Sequence, residues 1–294
     1  MSESTDGAVV VKIGGARAVD PAGAVDDVAA LAADRDVVVA HGGSTAVDDL
    51  LERLDIEPTY VETPDGVVGR FTDEATMEAF TMAMSKVNTD LVSLFRDADV
   101  DAVGLSGVDG GLLTGPRKSA VRVVEDGKKK IKRGDHSGKL ERVNADLLET
   151  LLAAGHTPVA GPPMLADDGV PVNTDADRAA AAMAGALDGS TLVLLTDVEG
   201  VYADPDDPST LIEHVETPAE LDDLEAAAEG FMGKKVMAAK QALDGGADAV
   251  VIADANADDP ILAALDGGGT RIEASALAEA AADGGVDDDG GEAA

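Results

Sequence analysis

The stretch "AVVVKIGGA", residues 8–16, decides the fold. Its apolar residues run on without the polar alternation of a half-exposed strand, and the run stops at a glycine pair. Such a run reads as a strand buried on both faces, as in a parallel sheet. Gly14 and Gly15 at its end let the backbone approach a ligand closely. The same pattern recurs along the chain. "AVDDVAALAADRD" reads as the helix after it, "VVVAHGG" as a second strand, and "STAVDDLLERLD" as a helix with Ser44 as its N-cap. "TDEATMEAFTMAMSKVNTDLVSLFRDA" is a long helix that Thr72 is placed to cap, followed by the strand "DAVGLSG". Later come "NADLLETLLAAG", "TPVAG", "TLVLLTD", "GKKVMAAKQALDGG" and "ADAVVIAD". Strand–helix alternation of this kind predicts an α/β protein, a mainly parallel sheet covered by helices on both faces.

Composition removes several function classes. The chain of 294 residues has no Cys, so disulfides, thiolate metal sites and cysteine nucleophiles are excluded. No stretch approaches a membrane span, and the N-terminus lacks a signal-peptide pattern, so the expected location is cytoplasmic. Aromatic residues make up 2% and the formal charge is −36, which disfavours nucleic acid as a partner. Such dense surface acidity with few lysines suggests a halophilic protein from a saline cytosol, where salt screens self-repulsion. A generally acidic protein of ordinary salt is the other reading. The Gly/Asp-rich tail over 281–294 is expected to be disordered.

One segment runs against the overall charge. Between Arg117 and Arg142 stand 10 basic and 4 acidic residues, in a chain with 22 Lys+Arg and 58 Asp+Glu. "VRVVEDGKKKIKR" places Asp126-Gly127, a good hairpin turn, between two extended runs, so a basic β-hairpin is expected at about 117–142.

Three glycine loops follow strands: "KIGGA", "HGGS" and "GLSGVDGG". In open parallel sheets, ligands bind at the carboxyl ends of strands, and helix N-termini favour anions. Each loop alone is equally a tight turn; three together point to anion binding. No P-loop motif and no G-x-G-x-x-G is present, so neither a P-loop NTPase nor a Rossmann dehydrogenase is supported. Among only 11 lysines, Lys12 sits at a glycine-rich strand end and Lys234-Lys235 at a helix start, places suited to neutralising a phosphoryl group. Asn173, Asp175 and Asp177 precede an Ala-rich helix; one carboxylate there is a helix cap, and two or more suit Mg²⁺ or ammonium groups.

"VVVKIGGA", "VVVAHGGS", "GRFTDEATMEAFTMAMSKVN", "GLSGVDGGLL", "VNTDADRAAAAMA", "LVLLTDVEGVYADP" and "GFMGKKVMAAKQAL", in that order, resemble the amino-acid kinase family, and within it the acetylglutamate kinase branch. The resemblance implies a three-layer αβα sandwich with a mainly parallel eight-stranded sheet. It implies an N-terminal lobe (1–188) for the carboxylate substrate and a C-terminal lobe (189–280) for ATP, with Mg²⁺. Lys12 and Lys235 match the lysines that stabilise the transferring phosphoryl group, and Asp177 the acid that organises them. Gly42, Gly43, Ser44, Arg70 and Asn173 match substrate-binding positions. Gly14, Gly15, Thr196, Asp197 and Tyr202 match the nucleotide side. Ser44 replaces a glycine usual in acetylglutamate kinases, and Asp175 a common asparagine, which bears on substrate choice.

The reaction so implied is phosphorylation of a side-chain carboxylate by ATP. A carboxylate needs no general base, which suits the lack of a placed histidine: His41 is expected in a loop, and His136, His156 and His214 are scattered. The best-fitting branch, the kinases of [LysW]-linked aminoadipate and glutamate, acts on an amino acid joined to a small acidic LysW-type carrier protein. Lys128, Lys129, Lys130, Lys132 and Arg133 of the basic hairpin are then expected to dock that carrier. The alternative is a plain N-acetylglutamate kinase with an incidental hairpin, and a non-catalytic amino-acid sensor is a more distant one. The family likeness also implies a homodimer.

Overall fold

The computed structural model describes residues 7–14, 21–62, 64, 68–125 and 128–277. Gly15, the Asp126-Gly127 turn and the acidic tail lie outside the described residues.

The chain opens with β1 (Val9–Ile13), α1 (Pro21–Leu31), β2 (Val37–His41) and α2 (Ser44–Arg53). A ribbon of β3 (Thr59–Glu62) and β4 (Val68–Phe71) leads into the long α3 (Glu74–Asp97) and β5 (Ala102–Ser106). Next come β6 (Leu113–Gly115), β7 (Ala120–Glu125), β8 (Lys128–Arg133), β9 (Arg142–Val143) and α4 (Ala145–Ala153). β10 (Thr157–Gly161), β11 (Met164–Ala166), β12 (Pro171–Val172) and α5 (Ala176–Gly185) follow. The last third holds β13 (Thr191–Thr196), β14 (His214–Val215), α6 (Pro218–Ala227), α7 (Gly230–Gly245), β15 (Ala249–Asp254), α8 (Pro260–Leu265) and β16 (Thr270–Glu273).

Eight strands form one sheet in the order β14-β16-β15-β13-β1-β2-β10-β5. All neighbours are parallel except β15 and β16. The expected three-layer α/β architecture is therefore present. The continuous apolar runs are the two-faced central strands: β1, β2 and β10 are buried at every position.

Side chains of a strand alternate between faces. Val9, Val11 and Ile13 join the core under α1, α3 and α8, whereas Val10 joins the core under α4, α5 and α7. Lys12 shares the parity of Val10 and so points toward α5 and α7. Those two helices pack closely because their contact is built of alanine and glycine. A Cβ on Gly185 would lie 2.9 Å from Gly245 Cα and 3.0 Å from Ala242 O, both unyielding backbone.

The basic hairpin exists as β7 and β8, an antiparallel ribbon of its own with Ala120 opposite Arg133 and Glu125 opposite Lys128. Beyond β7 and β8 the antiparallel pairing continues, with Arg117 bridging Gly138 and Lys118 N donating to Ser137 O at 2.8 Å, until Arg142–Val143 joins a second sheet, β12-β11-β6-β9.

Two expected helix caps shift by one residue. Asp73, not Thr72, caps α3, its carboxylate accepting from Thr76 N at 2.9 Å. Thr72 is buried and committed elsewhere. Ser44 is the first residue of α2, and Gly43 stands at the cap without a side-chain bond. Among the described residues, no helix is long and apolar enough to cross a membrane.

Candidate active site

The carboxyl ends of β1, β2 and β13 lie side by side, since Lys12 pairs with Ala40 and Leu194, and Ile13 with His41. Gly14, Gly42, Gly43, Ser44, Thr196 and Asp197 therefore line one edge of the sheet. Ser44 begins α2, so the free N–H groups of that helix face the same edge. Thr196 is buried and donates to Asp197 Oδ1 at 3.2 Å. Tyr202 bridges to Leu211 and donates to Glu199 Oε2 at 3.3 Å.

At this edge α5 and α7 complete a charged cluster. Asp175 caps α5, accepting from Arg178 N at 3.0 Å, which places Asp177 in the first turn, where the helix dipole favours a carboxylate. Lys12 Nζ lies 2.7 Å from Asp177 Oδ1, an ion pair without the alignment of a hydrogen bond. Lys235 Nζ, from α7, donates to Asp177 Oδ2 at 3.1 Å. The three side chains are 9%, 15% and 12% exposed for Lys12, Asp177 and Lys235.

Burial alone would raise the Asp177 carboxyl, but the charges of Lys12 and Lys235, with the Lys235 hydrogen bond, outweigh it and hold it below the usual carboxylate range. Lys235 is pushed below the ordinary lysine value, first by burial and then by the Lys12 charge, against the pull of Asp177 and Asp175. One carboxylate thus faces two ammonium groups, leaving a net positive charge in a nearly dry place. Such a place attracts a multiply charged anion.

The residues expected on the substrate side are partly engaged within the chain. Arg70, on β4, pairs through Nη2 with Asp48 of α2, to which Tyr60 also donates at 3.5 Å. Arg70 Nε is buried and makes no hydrogen bond among the described residues. Asn173 donates from Nδ2 to Thr72 Oγ1 at 3.2 Å.

His41 corrects the loop expectation. It is the last residue of β2, 2% exposed, and burial lowers its pKa to about 4. Asn88 of α3 bonds its Nε2 at 3.0 Å and also donates to Val159 O at 2.8 Å, pinning α3 to the sheet. A neutral histidine held this way is a strut. Sequence reading missed Asn88 and Asp48, which sit among the ordinary polar residues of their helices with no local signal.

The ribbon residues expected to dock a carrier separate by face. Opposed residues of an antiparallel pair share a face. Val121 and Val123 pair with Lys132 and Lys130, whereas Arg122 pairs with Ile131. Val123 is buried and Lys132 Nζ sits 4.3 Å from the centre of the Phe71 ring, so this face leans on β4. Lys129 and Arg133 share the outer face with Arg122 and with Ile131, which is 66% exposed.

Comparison with known proteins agrees with this geometry. The family model described as "Amino acid kinase family" matches residues 7–254. A [LysW]-aminoadipate kinase of Thermus thermophilus is 41% identical over 271 residues, covering 90% of this chain and 99% of that one. An acetylglutamate kinase of Methanopyrus kandleri is 42% identical over 246 residues, covering 83% of this chain and 93% of that one. Among solved structures, N-acetylglutamate synthase from Neisseria gonorrhoeae, complexed with coenzyme A and N-acetyl-glutamate, has a TM-score of 0.73 at 25% identity. That likeness spans 93% of this chain and 60% of the synthase. Giardia carbamate kinase shares the fold, with a TM-score of 0.62 at 16% identity over 92% of this chain and 99% of its own. With its strand order, its glycine-lined sheet edge and full-length relatives in agreement, the chain belongs to the amino acid kinase family.

Proposed function

We propose that this chain transfers the γ-phosphoryl group of ATP to the side-chain carboxylate of glutamate, and also of aminoadipate, carried through its amino group on a small acidic LysW-type protein. This places it in arginine or lysine synthesis. The observation that carries the transfer is Asp177 shared between Lys12 and Lys235 at 2.7 and 3.1 Å.

A carboxylate oxygen attacks the γ-phosphorus in line; the bond to the β–γ bridging oxygen breaks and its electron pair leaves with ADP. The products are an acyl phosphate and ADP, and no proton moves. The work left to the protein is positioning and charge neutralisation. Asp177 holds both ammonium groups still, and Lys12 and Lys235 meet the charge that spreads over the phosphoryl oxygens. Gly14 and the α2 N-terminus at Gly43 and Ser44 supply close backbone approach, while Arg70 Nε and Asn173 hold the acceptor. Thr196, Asp197 and Tyr202 lie on the nucleotide side, in the lobe proposed over 189–280.

The donor set suits a magnesium ion that arrives on the nucleotide, since both Asp177 oxygens face lysines and Asp175 caps a helix. Magnesium, when bound there, offsets phosphate charge. The carrier is supported by the names of the relatives from Thermus thermophilus and Deinococcus radiodurans, both [LysW]-aminoadipate kinases, and by the basic ribbon. The Methanopyrus relative favours the second reading, a kinase of free N-acetylglutamate. A homodimer of a saline cytoplasm completes the proposal; sedimentation equilibrium at high potassium chloride tests the assembly.

The deciding experiment is ADP release with free glutamate, N-acetylglutamate and carrier-linked glutamate. Preference for the carrier conjugate supports the first reading; equal or better use of N-acetylglutamate overturns it for the second.

A further inference from the structure

Just after the ribbon, the stretch from Gly134 to Gly138 threads between the end of β4 and the acceptor asparagine. His136 N donates to Thr72 O at 2.7 Å, and Asn173 N donates to His136 O at 2.7 Å. Gly138 N returns to Asn173 O at 2.8 Å. A Cβ on Gly138 would lie 2.7 Å from Met164 Sδ and 2.8 Å from Val172 Cγ2, so a larger residue here would displace those side chains.

Within it Asp135 is 2% exposed. Its carboxylate accepts from Thr72 N at 3.4 Å and from Ser137 N at 3.4 Å, and also from the Ser137 hydroxyl. A buried carboxylate is tolerated only when donors surround it, and a network so satisfied is rigid. Thr72 is thus gripped at both ends: its N–H by Asp135 and its carbonyl by His136 N. Its hydroxyl in turn fixes the amide of Asn173 at 3.2 Å. Thr72 also lies two residues beyond Arg70 on the same run of chain.

We infer that Asp135 is a positioning residue of the acceptor site, setting the Asn173 amide and the Arg70 end of β4 through Thr72. This rests on the reading that Arg70 and Asn173 hold the acceptor. Asp135 touches no reacting atom, and the nucleotide-side residues are outside its network, so its removal acts on one substrate only.

The test uses the full-length enzyme and whichever of N-acetylglutamate or carrier-linked glutamate the wild type uses better. Asp135→Asn keeps the shape but turns an acceptor into a donor facing Ser137. The expected result is a KM for the acceptor raised about ten-fold with the KM for ATP unchanged. Ser137→Ala is expected to raise the same constant about three-fold, and Ser137→Thr, which keeps the hydroxyl, to restore it. Equal changes in both KM values, or fewer active molecules with both KM values held, overturns the inference in favour of a purely structural role. Asn173→Ala is measured alongside. If it raises the acceptor KM and Asp135→Asn does not, the positioning role fails and the site reading stands. If neither variant moves that constant, both fail together.

Discussion

Lys12 and Lys235 are nearly dry and share one carboxylate, whereas Lys128 and Lys129 carry the same ammonium group on an exposed ribbon. In the first region desolvation makes each charge expensive, so geometry and partner count decide whether it can exist at all. In the second, water and salt carry most of the solvation, and the charge acts mainly through the field it sets up. The same side chain is a desolvated partner of a buried carboxylate in one place and a solvated charge in the other, and burial is what divides them.

The largest effect is expected where the contrast is sharpest. Asp177→Asn leaves two buried ammonium groups facing one another, with turnover down by about three orders of magnitude or more and stability lower by about 3 kcal/mol. Steady-state ADP release and urea unfolding measure the two parts. Lys12→Ala and Lys235→Ala are expected to cost about 10²- to 10³-fold in turnover while leaving the fold intact. Near wild-type turnover in either variant would break the comparison.

His41 sharpens it, as a buried group that sheds its charge because no counter-ion meets it. Its folded pKa of about 4 lies below the ordinary value of 6.5. Its contribution is therefore fully present above pH 6.5 and is lost as pH falls toward 4, at roughly 3 kcal/mol in total. Urea midpoints at pH 7 and pH 4.5 should converge in His41→Gln relative to wild type.

The alkaline limb of kcat/KM adds a test of the dry pair. Since Lys235 is held below the ordinary lysine value, activity is expected to fall on that limb before an ordinary lysine would titrate, and Lys235→Arg should remove the limb even at low activity. For the ribbon, changing Lys128–Lys130 to Glu is expected to lower kcat/KM for a carrier-linked acceptor about ten-fold at low salt. Use of N-acetylglutamate should barely move. The smallest effect belongs to Lys132, whose place over Phe71 makes Lys132→Met worth about 0.5–1 kcal/mol.

Much of this was legible in the chain. The uninterrupted runs at Val9–Ile13 and Val37–His41 mark central strands because only a two-faced burial tolerates them. Lys12 stood out by its glycine neighbours, and period-two alternation already set it on the face of Val10. Which helices would cover that face is long-range information, as is the partner of Asp177. The Thr72 cap failed by one residue because its hydroxyl is claimed by Asn173, 101 residues away. Asp135 was hidden for the same reason: its contact with Thr72 spans 63 residues, and a lone acid among basic neighbours reads as charge balance. The pairing of β7 with β8 was legible because hairpin chemistry is local, yet the division of the ribbon's lysines between two faces needed the register.

The ribbon has one more consequence. A positively charged projection on a molecule with a formal charge of −36 makes the protein a permanent electric dipole. In dilute buffer an approaching polyanion exerts a torque on it, so the molecule turns its ribbon toward the visitor before any contact. In molar salt the screening length shrinks to about 3 Å, and that rotation is confined to the final water layer. Orientation then becomes a property of the touching surfaces alone, and electric birefringence recorded across salt concentrations would trace the passage from one regime to the other.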